Sequence, residues 1–300
     1  MFYAVLFLFG ISIGSFLNVL SLRHKEGQFI LGKRVIGGRS RCLSCKRTLK
    51  WYELIPLASF IWQLGRCRSC GSRLSFQYPL VEFMAGVIVP AVAFYFFDYA
   101  RLSYIDFILK GELAVLYAAF FIWSLVFLSL LLLSIIDFRE YLIPDEISYF
   151  LAFLGICWVA LLTLMTSMST SLIYLGSFLG QYARMFELWQ GVLTDHLLGA
   201  VAGSLAIGAI FFLSRGKAIG FGDVILLGVL GFLFGYPDIV LILFLAFLLG
   251  AILGIVLIAR KRKGMKDFVP FAPFVAMASL LVFFFGADIM RFYFSVFIPF

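Results

Sequence analysis

Two acids stand at the borders of apolar runs. In IGFGDVILLG, residues 219–228, Asp223 opens a greasy stretch, and in LLLLSIIDFREYLIPDE Asp137 closes another. An ionisable group in or beside a membrane span is costly and is read as functional by default. The plain alternative is an interfacial acid that meets water or pairs with Arg139 or Lys217. Two carboxylates sharing one proton can hydrolyse a peptide bond. Like charges a few ångströms apart do not both ionise easily, so the pair keeps a proton near neutral pH. One carboxylate then takes a proton from water while its protonated partner polarises the scissile carbonyl. Gly220 and Gly222 would let backbone approach a substrate strand without a Cβ in the way.

A second cluster has metal chemistry. CLSC at 42–45 and CRSC at 67–70 are paired knuckles with the spacing of a structural zinc site, in which Cys42, Cys45, Cys67 and Cys70 supply four thiolates. Disulfides do not suit a reducing cytoplasm. A thiol redox relay is the competing use of the same residues. Nearby basic residues favour the thiolate form. The stretch LKWYELIPLASFIWQLG between the knuckles would supply an apolar layer to a loop too small to build its own core. Cys157 lies within an apolar run as a small buried side chain, and His24 and His196 have no metal-ligand company.

The elements that position these residues must be membrane helices. The chain is 63% hydrophobic with a mean hydropathy of +1.07, well above the ~45–50% of a soluble domain. A span needs about 20 apolar residues. Eight candidates run over 2–22, 79–97, 113–136, 147–166, 196–214, 223–236, 239–259 and 270–287. The first has no basic segment before it and is read as a retained helix, not a cleaved signal. The sixth, starting at Asp223, is short, which suggests a thin or water-filled place. The fold class is therefore all-α and polytopic, with about eight transmembrane helices and a small zinc-binding cytoplasmic loop domain between helices 1 and 2. The expected division is helix 1 over 1–22, the loop domain over 23–78 and a membrane peptidase domain over 79–300.

Charge sets the orientation. Segment 23–78 carries twelve of the 24 Lys and Arg against two acids, and so faces the cytoplasm. Alternate threading leaves only Arg101, Lys110, Arg184 and Arg291 outside and puts RKRKGMK, 260–266, inside. The net charge of +8 is then a topological signal facing anionic lipid, and nucleic acid is not an expected partner. The same threading puts Asp137, ending the third span, and Asp223, beginning the sixth, at one edge of the bilayer. In the outer connection 167–195, Leu172, Leu175, Leu179, Tyr182, Phe186 and Trp189 repeat at helical spacing, as in an interfacial helix. A re-entrant or ninth segment is the alternative. No internal repeat or low-complexity tract is evident.

Together these residues resemble the bacterial type IV prepilin peptidases, membrane aspartic proteases of the GxGD type. The carriers of the resemblance are GSFLNVLSLR (14–23), both knuckles with LIPLASF between them, YPLVEFMAG (78–86), IDFREYLIPDEIS, GFGDV and VPFAPF (269–274). The resemblance implies cleavage of a short basic leader from prepilins and pseudopilins at the cytoplasmic face of the bacterial inner membrane. It also implies N-methylation of the new terminus with S-adenosylmethionine. Asp137 and Asp223 carry over as the catalytic pair, and the four cysteines as zinc ligands. No residue carries over for the methyl donor, and no soluble-type glycine-rich nucleotide fold is present. Glu53 and Glu82 are candidates for holding the substrate amine. Ile225 stands where the family usually has Lys, and Ala272 where Gly is common. The competing functions are a proton- or cation-coupled transporter, which leaves the knuckles unexplained, and a thiol redox carrier, which leaves the aspartates unexplained.

Overall fold

The computed structural model describes residues 1–25, 27–99, 113–168, 177–185, 191–260 and 269–297. Among these the secondary structure is helical, apart from two isolated bridges in the knuckles. Lipid offers the backbone no hydrogen bonds, so an apolar chain must satisfy its N–H and C=O groups within each segment. Seven described helices are long and apolar enough to cross a membrane, and an eighth, Phe221–Phe234, is apolar but shorter. The chain divides into two compact units, Met1–Leu132 and Leu133–Phe300.

In the first unit, α1 (Phe2–Arg23) packs along α4 (Gln77–Phe94), with two short helices, α2 (Lys33–Ile36) and α3 (Ala58–Trp62), between them in sequence. Hydrophobicity does not drive helices together in lipid, so close packing must. Gly10 and Gly14 form a small-residue stripe on α1. A Cβ at Gly14 would stand 2.7 Å from the Glu82 Cα, so only glycine admits the α4 backbone there.

Helix α5 (Leu113–Glu140) leads into the second unit, which contains α6 (Asp145–Met168), α7 (Val192–Leu213), α8 (Phe221–Phe234), α9 (Tyr236–Ala259) and α10 (Ala272–Phe297). The short α8 lies among α6, α7 and α9, and Leu226, Leu227, Leu230, Leu233 and Phe234 are fully buried. Its ~21 Å length is thus enclosed by surrounding helices. Gly199 and Gly203 on α7 meet Gly231 and the Leu227 carbonyl on α8, where any Cβ would strike backbone. Gly199→Ala is expected to force these helices apart at a cost of about 1–3 kcal/mol, measurable as a lower unfolding midpoint in detergent.

Two helices run past their expected ends. α5 continues to Glu140, one turn beyond the apolar run, with Arg139 complementing its C-terminal dipole. α10 continues to Phe297 through Gly286, and an Asp288–Arg291 pair at 3.4 Å bridges one turn of the extension. Apolarity marks what lipid covers, not where the helix stops.

Only 177–185 of the outer connection lies within the described residues. Its turn of 3-10 helix, Gly180–Met185, packs on α10. Leu179 and Ala183 are buried with Met290, and the Tyr182 ring stacks on Phe294. Leu172, Leu175, Phe186 and Trp189 lie outside the described residues. The Phe178 N–H donates to Asp238 Oδ1 at 3.0 Å, and Asp238 is fully buried. Asp238→Ala is expected to lose about 1–3 kcal/mol by stranding that N–H, again visible in the unfolding midpoint.

Candidate active site and metal centre

The two aspartates both belong to the second unit, and each accepts a backbone N–H at the start of a helix. α8 begins after Gly220, whose extended backbone makes it the N-cap, and Asp223 is the third helical residue. From there the Asp223 Oδ2 accepts the Gly220 N–H at 3.1 Å. This is the returning half of a capping box, which satisfies an N–H the helix cannot. The GxGD pattern thus has a local structural reason: glycine at the cap and an acid three residues later.

Asp137 sits in the last turn of α5, not at its final residue, and is 6% exposed. Its Oδ2 accepts the Ala272 N–H at 3.0 Å. Ala272 is the first residue of α10, so this donor is one of the orphan N–H groups of a helix start. The VPFAPF segment therefore orients the first aspartate. The chain after Asp137 reverses at Tyr141, a non-glycine residue with φ +53, before Pro144 and α6. That reversal sets Ile143 against Gly222, where a Cβ would lie 3.1 Å from the Ile143 Cβ. The two motifs thus meet through a glycine. Asp137 lies within electrostatic reach of Asp223.

Each aspartate has one oxygen tied to a backbone N–H at a helix N-terminus. Fixed donors and the positive helix end suit a carboxylate that must be oriented while its proton comes and goes.

The cysteines belong to the first unit. The two knuckles have the same backbone: Cys42 N–H donates to the Arg47 carbonyl and Cys67 N–H to the Ser72 carbonyl, each at 2.9 Å. Lys46 and Gly71, each following the second cysteine, have φ +60 and +68. RCLSCKRTL and RCRSCGSRL are therefore a short tandem repeat, a correction to the sequence reading. The repeat is brief, nine residues at each knuckle, and only the arginine, the cysteines, one serine and the final leucine coincide in register.

All four sulfurs lie within 4.8 Å of one another, and Cys42 and Cys70 Sγ are 3.9 Å apart. A tetrahedral zinc with ~2.3 Å Zn–S bonds needs sulfurs about 3.8 Å apart, so the group fits the metal. All four are free thiols, not disulfides. The Cys45 N–H, aided by the Ser72 hydroxyl and despite burial, brings the Cys42 thiol down to about 6. The Arg47 N–H favours the Cys45 thiolate, but desolvation and the three other thiols push it up to about 11. Loading zinc at pH 7 is therefore expected to release protons. Affinity should climb with pH as thiols stop competing with the metal, checked by metal titration in weak buffer.

Both oxygens of Glu53 are engaged within the loop. Its Oε1 takes the Arg47 guanidinium at 2.6 Å and its Oε2 the Lys50 N–H at 2.8 Å, which braces the first knuckle. Glu82 is buried and accepts the Leu57 N–H at 2.7 Å. The short repeat, the Ala272 donor to Asp137 and the Leu57–Glu82 bond are the features that sequence reasoning missed. The last two join residues far apart in the chain.

Residues 8–96 match the Bacterial Peptidase A24 N-terminal domain, and residues 124–255 match the Type IV leader peptidase family. The prepilin leader peptidase/N-methyltransferase of Bacillus subtilis is 31% identical, with 97% of each chain covered. The proteins of the same name from Aeromonas hydrophila and Pseudomonas aeruginosa are each 28% identical, over 99% and 95% of this chain and 96% and 91% of their own. No solved structure matches. Relatedness over almost the full length covers the aspartates and the knuckles together, which neither the transporter nor the redox reading does. The chain belongs to the type IV leader peptidase family.

Proposed function

We propose that this multi-pass membrane protein removes the leader from prepilins and pseudopilins, with Asp137 and Asp223 as the catalytic pair, and N-methylates the new terminus. The observation that carries the reading is the pairing of two carboxylates within electrostatic reach, each anchored by one oxygen to a helix-start N–H. One ionised carboxylate takes a proton from water as the water oxygen bonds to the scissile carbonyl carbon. The protonated partner gives its proton to the carbonyl oxygen. Collapse of the tetrahedral species returns one hydroxyl proton to the carboxylate that is then ionised and breaks the C–N bond, while the leaving amine takes its proton from the other carboxyl, so the pair ends with the single proton it began with. The atoms balance with one water consumed and no metal required.

In this reading the site faces the cytoplasm at the bacterial inner membrane. The chain divides into helix 1 (1–22), a zinc loop (23–78) and a peptidase domain (79–300). Cys42, Cys45, Cys67 and Cys70 would hold zinc, whose part is to tie two knuckles together. S-adenosylmethionine supplies a methyl group when bound. Glu53 and Glu82 are both engaged by protein donors, and no residue is assigned to that donor. The test is mass spectrometry of a prepilin incubated with the purified chain, with and without S-adenosylmethionine. Leader loss and a further methyl are the expected results. Several intact prepilins with a folded, zinc-loaded protein would overturn the reading.

A further inference from the structure

An apolar side chain exposed on a span faces lipid, but on a loop in water it has no solvent to suit it. The segment between the knuckles is the stretch expected to supply an apolar layer to the loop. There α3 buries no residue, and Trp51, Leu54, Ile61, Trp62 and Leu64 are all exposed, Leu64 by 86%. Such a concentration on one short segment marks an interaction surface.

Two contacts fix the height of this segment against the span that follows it. The Leu57 N–H bonds to Glu82, which lies about 7 Å inside α4 at ~1.5 Å per residue from Gln77. The Phe60 ring packs on Phe76, the residue just before α4, with centroids 6.3 Å apart. The start and the middle of α3 are thus held beside the first turns of α4. Leu57 itself has φ +59 and ψ −53, and the Ala58 N–H bonds the Pro56 carbonyl at 2.6 Å. That is the strained hand of the γ-turn, and such strain persists only where the surroundings hold it. What holds it here is a carboxylate in a membrane span.

The exposed charges flanking the segment are positive, and its own Glu53 is buried against Arg47. Lys46, Lys50, Arg66, Arg68 and Arg73 are exposed, and Lys50 and Arg68 lie over the Tyr52 ring. Tryptophan beside lysine and arginine is the composition of a membrane–water boundary.

We propose that residues 51–64 form a wedge that inserts its apolar side chains into the headgroup boundary of the anionic leaflet where α1 ends and α4 begins, with Glu82 setting its depth. Lipid is the occupant because the tethers to α4 hold the face at that boundary and the flanking cations match anionic headgroups. The wedge would keep the knuckles at the membrane surface.

The full chain in nanodiscs of phosphatidylethanolamine and phosphatidylglycerol, carrying a benzoylphenylalanine photo-cross-linker at Ile61 or Leu64, tests this. Irradiation is expected to give mainly lipid adducts, seen by mass. Adducts mainly to a second copy of the chain, or Trp62 open to acrylamide with no lipid adduct, would overturn the proposal. Glu82→Ala should lower the lipid adducts at Leu64 severalfold with metal content kept; an unchanged yield would overturn the depth-setting role. Should that variant fail to fold, Trp62→Phe supplies a second reading. Brominated lipid should quench the unsubstituted chain more than the variant, and equal quenching would overturn the insertion.

Discussion

Asp223→Asn and Asp137→Asn should each lower the rate of leader removal by about 10²–10⁴-fold, the usual contribution of a positioned acid or base. The side chains retain the geometry that tests this cleanly. An amide oxygen at 223 can still accept the Gly220 N–H, and one at 137 the Ala272 N–H. The cap survives, so the loss would be chemical and not structural. Unfolding midpoints should move little. Asp223→Ala removes the cap as well, with an added stability cost of about 0.5–2 kcal/mol. Cleavage assays on the four proteins, wild type included, with unfolding curves beside them, separate the two roles. If the Asn variants cleave normally, the aspartates are only caps. Methylation of an already cleaved peptide should survive all three substitutions, since the amine reaction needs neither carboxyl as a hydrolytic acid or base.

Cys67→Ser should abolish tight metal binding and loosen residues 40–74. Cys67 is 4% exposed and its sulfur lies with the other three within 4.8 Å. Removing a ligand should exceed the ~10–100-fold cost of losing an outer partner of a metal site. Without the ion, four thiols in contact have only weak hydrogen bonds to hold them, and the paired turns lose their common anchor. Metal content by mass spectrometry and proteolysis of the loop would show both effects. A chelator acting on wild type should reproduce them. Retention of zinc by the serine variant would show that the four sulfurs do not act as one site. The second unit need not unfold, and unchanged protection of α7 and α8 in hydrogen exchange would show this.

The positions of the helices were legible because lipid imposes a coarse rule: about 20 apolar residues per crossing. The short α8 was legible as a helix, but not as one enclosed by α6, α7 and α9. Enclosure depends on Gly199, Gly203 and Gly231, whose meaning appears only when two helices are set side by side. The exposure of the apolar stretch 51–64 was not legible for a related reason. Composition reports that a segment avoids water, not whether it turns toward protein or lipid.

By itself the sequence determined the membrane character, the eight apolar runs, the knuckles and the two acids at run borders. These follow from composition and short spacing, which local physics reads directly. It also carried the resemblance to a peptidase family. Only the tertiary structure decided that Asp137 takes its donor from Ala272, that Ile143 rests on Gly222, and that Glu53 is spent on Arg47. It also decided that Glu82 reaches Leu57. Apart from the short Arg47–Glu53 link, these contacts join distant parts of the chain. No local pattern encodes them, because a hydrogen bond or a van der Waals contact depends on separation in space, and chain spacing fixes that only within a few helical turns.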